Sequence, residues 1–87
     1  MLAPDEALDA IREHALSGRI RLSGHARRRM AERHVSFADV RRALVRPRTC
    51  AWQPLGGTWR VEGEDVGGEP LTVIAAVLGD VLVVTVF

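Results

Sequence analysis

The sequence predicts an α+β fold in which about three N-terminal helices pack on a four-stranded antiparallel sheet. Three observations carry that expectation. Up to Pro47 the apolar residues recur at helical spacing among arginines, and beyond it the chain turns aromatic and β-branched. Glycine pairs punctuate the second half, at Gly56-Gly57 and Gly67-Gly68. No repeat or linker separates the halves, so Pro47 marks a change of layer within one domain spanning residues 1–87. Its parts are an N-terminal helix (1–18), a basic two-helix segment (23–46) and the sheet (49–87).

Pro4 and Asp5 open the first helix, Leu8, Ile11, Ala15 and Leu16 form its apolar stripe, and Gly18 ends it in a left-handed conformation. Arg19 to Leu22 alternates charged and apolar residues but reads only as an extended link. Ser23 suits an N-cap for the second helix, and His34 stands where a helix ends in a left-handed residue, with Val35 supplying the hydrophobic contact. Ser36 and Asp39 have capping-box spacing, so a third helix runs from Phe37 to about Val45 with Phe37, Val40 and Leu44 as its stripe. Strands are expected over Thr49 to Gln53, Thr58 to Glu64, Leu71 to Leu78 and Val81 to Phe87, the last two joined by a Gly79-Asp80 turn. Those last two are apolar on both faces. Helices should cover one face, and the first helix or a partner protein part of the other.

The net charge of +1 hides an asymmetry. Residues 1–18 carry one Arg against Asp5, Glu6, Asp9 and Glu13; residues 19–48 carry ten Arg against Glu32 and Asp39; the rest carry Arg60 against five acids. A basic middle between acidic flanks suits a polyanion on one face. The lone Cys50 excludes an internal disulfide and any multi-cysteine zinc site, so neither a metal nor a cofactor is implied and the setting is a reducing cytoplasm. No apolar run reaches membrane-spanning length.

Candidate chemistry concentrates in Ser23 to His34. At 100° per residue, His25, Arg29 and Glu32 fall within roughly 60° of one another, with Arg33 at their border and Ala26 and Met30 on the side that can be buried. A base near neutral pH beside fixed cations suits a phosphodiester. Metal-free RNA cleavage needs a base for the 2′-hydroxyl, charge stabilisation at the phosphate and an acid for the 5′-oxygen. His25 serves as base or acid, Arg28, Arg29 and Arg33 hold phosphate, and Glu32 is either the second proton carrier or an ion-pair partner of Arg28 or Arg29. Arg60 lies on the strand face of Thr58 and Glu62, opposite Trp59 and Val61, and is a second clamp if that face meets the Ser23 helix. Thr85, the only polar side chain of the last strand, is a further phosphate contact. Trp52 and Trp59 read as core, with base stacking as the alternative.

The run Ser23, His25, Ala26, Arg29, Met30, Glu32, Arg33, Val35, Ser36 resembles the S-x-H-A-x-x-R-M-x-E-R-G-[IV]-S signature of a bacterial family of unknown function. Segments Trp59 to Val61, Val73 to Val77 and Val83 to Val86 resemble its strands. Members look like the RelE and barnase-like superfamily of small ribonucleases, and some stand beside antitoxins with an MqsA-type zinc-finger domain. The resemblance implies a RelE/barnase-like, MqsR-like fold and the toxin of a toxin-antitoxin system, an endoribonuclease with RNA and a cognate antitoxin as partners. It allows a homodimer. The alternative is a non-catalytic module binding nucleic acid or protein through the same basic face. His34 replaces the usual Gly, and with no Tyr or Lys in the chain the proton carriers come down to His25, Glu32 or water.

Overall fold

The computed structural model describes residues 2–87; the first residue of the expected 1–18 helix lies outside them. The elements run α1 (Pro4–Leu16), β1 (Ile20–Leu22), α2 (Gly24–Arg33), α3 (Phe37–Val45), β2 (Thr49–Gln53), β3 (Thr58–Glu64), β4 (Pro70–Val77) and β5 (Val81–Val86). The fold is α+β, with three helices and one sheet of order β1-β5-β4-β3-β2.

The expected four-stranded antiparallel sheet is thus corrected to five strands of mixed sense. The segment taken for a link is β1, paired parallel with β5 from Ile20↔Val81 to Leu22↔Val83. Three residues carry too little pattern to announce a strand, and what makes one here is non-local. Arg21 grips Asp80 of the β4–β5 turn through Nε–Oδ2 at 2.5 Å and Nη2–Oδ1 at 3.1 Å. That pair holds the Asp80 carboxyl below its ordinary range, chiefly through the hydrogen bond from Arg21. The other three pairings are antiparallel, as expected.

Pro4 starts α1, and Glu6 accepts the Ala3 N–H at 3.0 Å. Gly18, at φ 75°, ends it: the Gly18 N–H reaches the Ala15 carbonyl and the Arg19 N–H the His14 carbonyl, the paired bonds of a Schellman cap. Its buried stripe is Ala7, Ile11 and Ala15, while Leu16 is exposed, so the helix is turned from the expected face. Across the α1–α3 contact, Arg41 Nε donates to the Ala15 carbonyl at 3.2 Å. On α3 the Ser36–Asp39 capping box forms as spaced, with mutual bonds of 3.1 and 2.8 Å. Val40, Ala43 and Leu44 are buried there, but Phe37, expected in the stripe, is 43% exposed. As the first helical residue, it stands beyond the end of the core.

α1 and α3 both lie on the face formed by Trp59, Val61, Leu71, Val73, Ala75, Val81, Val83 and Val86, where they close the main core. Helix α3 approaches β3 so closely that a Cβ on Gly63 would stand 2.8 Å from the Ala43 carbonyl oxygen. The first helix therefore does not cover the other face of the sheet. That face presents Arg60, Ile74 and Thr85 in one row.

A candidate nucleic-acid interface on helix α2 and the open sheet face

Helix α2 begins where Ser23 stops β1. The Ser23 hydroxyl accepts the Ala26 N–H at 2.9 Å, the expected cap, and also donates to the Val84 carbonyl at 2.7 Å. Its backbone N–H donates to the neighbouring Val83 carbonyl at 2.9 Å. In a regular strand consecutive carbonyls point to opposite sides, so one residue would not meet both. A β-bulge supplies the exception. Ile74 pairs with Thr85 but Ala75 with Val83, leaving Val84 as the extra residue.

The same bulge decides where Thr85 points. Strict alternation from Val81 and Val83 would turn Thr85 into the core and Val86 outward. The extra residue reverses both: Val86 is fully buried and Thr85 stands in register with Ile74 on the open face. Across β4, Arg60 pairs with Ile74 from the other side, so Arg60 and Thr85 are separated by two strand spacings, about 10 Å. Ile74, only 8% exposed, lies between them. The Arg60 guanidinium sits 5.4 Å from the centre of the Phe87 ring and 3.8 Å from Glu62.

On α2, Ala26 and Met30 enter the core and turn the remaining residues outward. His25, Arg28, Arg29 and Glu32 line one open depression of about 320 Å³. Arg29 Nη1 lies 3.8 Å from Glu32 Oε1 at i,i+3 spacing. Arg33, also exposed, does not line the depression, nor do Arg60 and Thr85. The predicted residues thus form two groups, one on the outer face of α2 and one on the sheet, linked by the Ser23 clasp to β5. His34 takes the expected left-handed conformation, φ 55° and ψ 40°, with the Val35 N–H bonded to the Met30 carbonyl at 2.9 Å.

Asp39 takes no part in this cationic surface: its carboxylate accepts N–H bonds from Ser36 and Val66, which hold its pKa below the ordinary value. Trp52 and Trp59 pack against each other across β2 and β3 with ring centres 5.0 Å apart, in keeping with the core reading. Burial pushes the Cys50 thiol up to about 11. Sequence reasoning missed the bulge, which has no residue signature in a run of valines, and missed Arg21 and Asp80, whose pairing needs the fold.

An α+β protein with an arginine-rich helix capped onto the bulged strand of a mixed sheet is the class these features define. The chain belongs to the family described as a domain of unknown function, DUF4258, which matches residues 22–87. That span begins as β1 ends and leaves α1 outside. No curated protein and no solved structure matches the chain.

Proposed function

We propose that the protein acts on RNA as a metal-independent endoribonuclease of RelE/barnase-like type, the toxin of a toxin-antitoxin pair whose partner masks the basic face. The observation that supports this reading best is the Ser23 clasp. It seats the start of the cationic helix on β5 at Val84, one residue from Thr85, which ends the row that reaches Arg60 two strands away. His25, on the exposed first turn of α2, takes the 2′-hydroxyl proton. Arg29 and Arg28 hold the scissile phosphate, with Arg33, Arg60 and Thr85 along the flanking backbone, and the leaving oxygen takes its proton from water or from Glu32 once that carboxylate has left Arg29 and been protonated. A proton-transfer group contributes about 10²- to 10⁴-fold, so His25→Ala should lose at least about 100-fold in cleavage rate.

A second reading has its own support: only α2 residues line the His25 depression, as a surface that grips phosphate without cutting would have. Expression of the wild type beside His25→Ala and Arg29→Ala, followed by growth and RNA integrity, separates the two. Growth arrest with RNA loss confined to the wild type supports the nuclease. Wild-type protein that binds RNA in vitro and leaves it intact, with no effect on growth, establishes the binding module instead.

A further inference from the structure

Phe37 is an aromatic ring set outside the core, and it is the meeting point of two grooves. One, of about 530 Å³, runs along the β1 edge and is lined on its cationic side by Arg21 and Arg27. The other, of about 480 Å³, runs along α3 and is lined by Arg41, Arg42 and Arg46. Both include Phe37. Arg21 is committed to Asp80, whereas among the described residues Arg27, Arg41, Arg42 and Arg46 form no ion pair with a carboxylate. Arg27 lies on the side of α2 opposite His25, 200° away around the helix axis, so this surface is not the His25 depression.

We propose that this face is a binding site for single-stranded RNA, with a base stacked on Phe37 and the flanking phosphates held by Arg27 on one side and by Arg42 and Arg46 on the other. It rests on the reading that RNA is the partner, and it adds a track that the chemistry at His25 does not require. An exposed aromatic ring alone suits many ligands, and arginines alone suit any anion. A ring between two guanidinium clusters matches a strand in which flat bases alternate with charged phosphates. A duplex keeps its bases stacked on one another and offers the ring nothing, so the site selects single strands. From Phe37 to Arg46 the helix advances about 13 Å, room for more than one phosphate.

The test is fluorescence anisotropy with a labelled 2′-O-methyl RNA 12-mer, which cannot be cut through its 2′-oxygen, and with its duplex. Phe37→Ala should weaken single-strand binding by about 5- to 150-fold, the range for loss of one stacked base, and Phe37→Trp should retain it. The double variant Arg42→Gln/Arg46→Gln keeps Phe37 and gives an independent reading. Its slope of log affinity against log salt should fall in magnitude by about 1.4, two phosphate contacts at about 0.7 each. The proposal is overturned if Phe37→Ala binds unchanged, if the salt slope of the double variant stays at the wild-type value, if the duplex binds as tightly as the single strand, or if a polyglutamate peptide competes as well as RNA. Binding that depends on Phe37 in a protein that cuts no RNA sinks the nuclease and keeps this site; cleavage with unchanged KM in Phe37→Ala does the reverse.

Discussion

Ser23 joins the candidate site to the sheet, and the two hydrogen bonds of its hydroxyl can be separated by substitution. Ser23→Ala removes the acceptor for the Ala26 N–H, a helix cap that contributes about 1 kcal/mol. It also strands the half-buried Val84 carbonyl, which costs about 1 kcal/mol more at the low end of the usual range. The sum, about 2 kcal/mol, is a large part of the roughly 4–13 kcal/mol expected for 87 residues and corresponds to about 8–16 °C in Tm. Ser23→Asp restores the cap but has no proton for Val84 and turns a carboxylate toward that carbonyl, so it should stay at least about 1 kcal/mol below the wild type. Ser23→Thr keeps both bonds and should lie within about 0.5 kcal/mol of the wild type. Urea unfolding with unchanged m-values measures all three. An aspartate variant as stable as the wild type would refute the claim that the β5 clasp carries energy, and a threonine variant as unstable as alanine would refute the role of the hydroxyl altogether.

Gly63→Ala should destabilise the fold despite the better strand propensity of alanine, because the new Cβ meets backbone atoms of α3 at 2.8 and 3.0 Å; the expected net loss is about 1–2 kcal/mol by urea unfolding. Adding Ala43→Gly removes only the 3.2 Å side-chain contact and should not rescue it; full rescue would show that the carbonyl contact is harmless. For Cys50, a thiol pushed from 9.0 to about 11 has about 100-fold less thiolate at pH 8. Iodoacetamide should modify the native protein tens of times more slowly than the urea-unfolded chain, with a rate that keeps rising from pH 9 to pH 10; a plateau near pH 9 would contradict the burial argument.

What could be read from the residues was what neighbours in sequence decide. Caps are local, so Ser23, the Ser36–Asp39 box, Gly18 and His34 all announced the ends of their helices. The three antiparallel pairings followed from aromatic and β-branched runs separated by turn residues at Gly56-Gly57, Gly67-Gly68 and Gly79-Asp80, again neighbours in sequence. What was misread or missed depends on contacts made far along the chain. Residues 20–22 become a strand only because Asp80 and β5 lie beside them. Phe37 fits the helical period of Val40 and Leu44, yet period gives the direction of a side chain and not how far the core extends beneath it. Thr85 stands on the open face through one unpaired valine, and in Val83-Val84-Thr85-Val86 no residue type marks which one bulges.

Charge shows the same division between what is summed along the chain and what is felt at a point. With a net charge of +1 the whole molecule offers little long-range attraction to a polyanion. At physiological salt, however, screening confines each exposed charge to about 8 Å, and the molecule is 21 Å across even in its shortest direction. A phosphate therefore responds to the few groups around it. The ion pairs of β1 and the sheet, Arg21 with Asp80, Arg48 with Glu64 and Arg60 with Glu62, use arginines outside α2 and α3 and occupy three acids of the C-terminal half. Within the two helices and the Arg46 cap of α3 the one such pair is Arg29 with Glu32, which leaves Arg27, Arg28, Arg33, Arg41, Arg42 and Arg46 without a carboxylate partner among the described residues. The acidic residues thus neutralise the molecule without neutralising α2 and α3, and the phosphate binding proposed for those two helices should follow the local arginines and fall with salt as their number dictates.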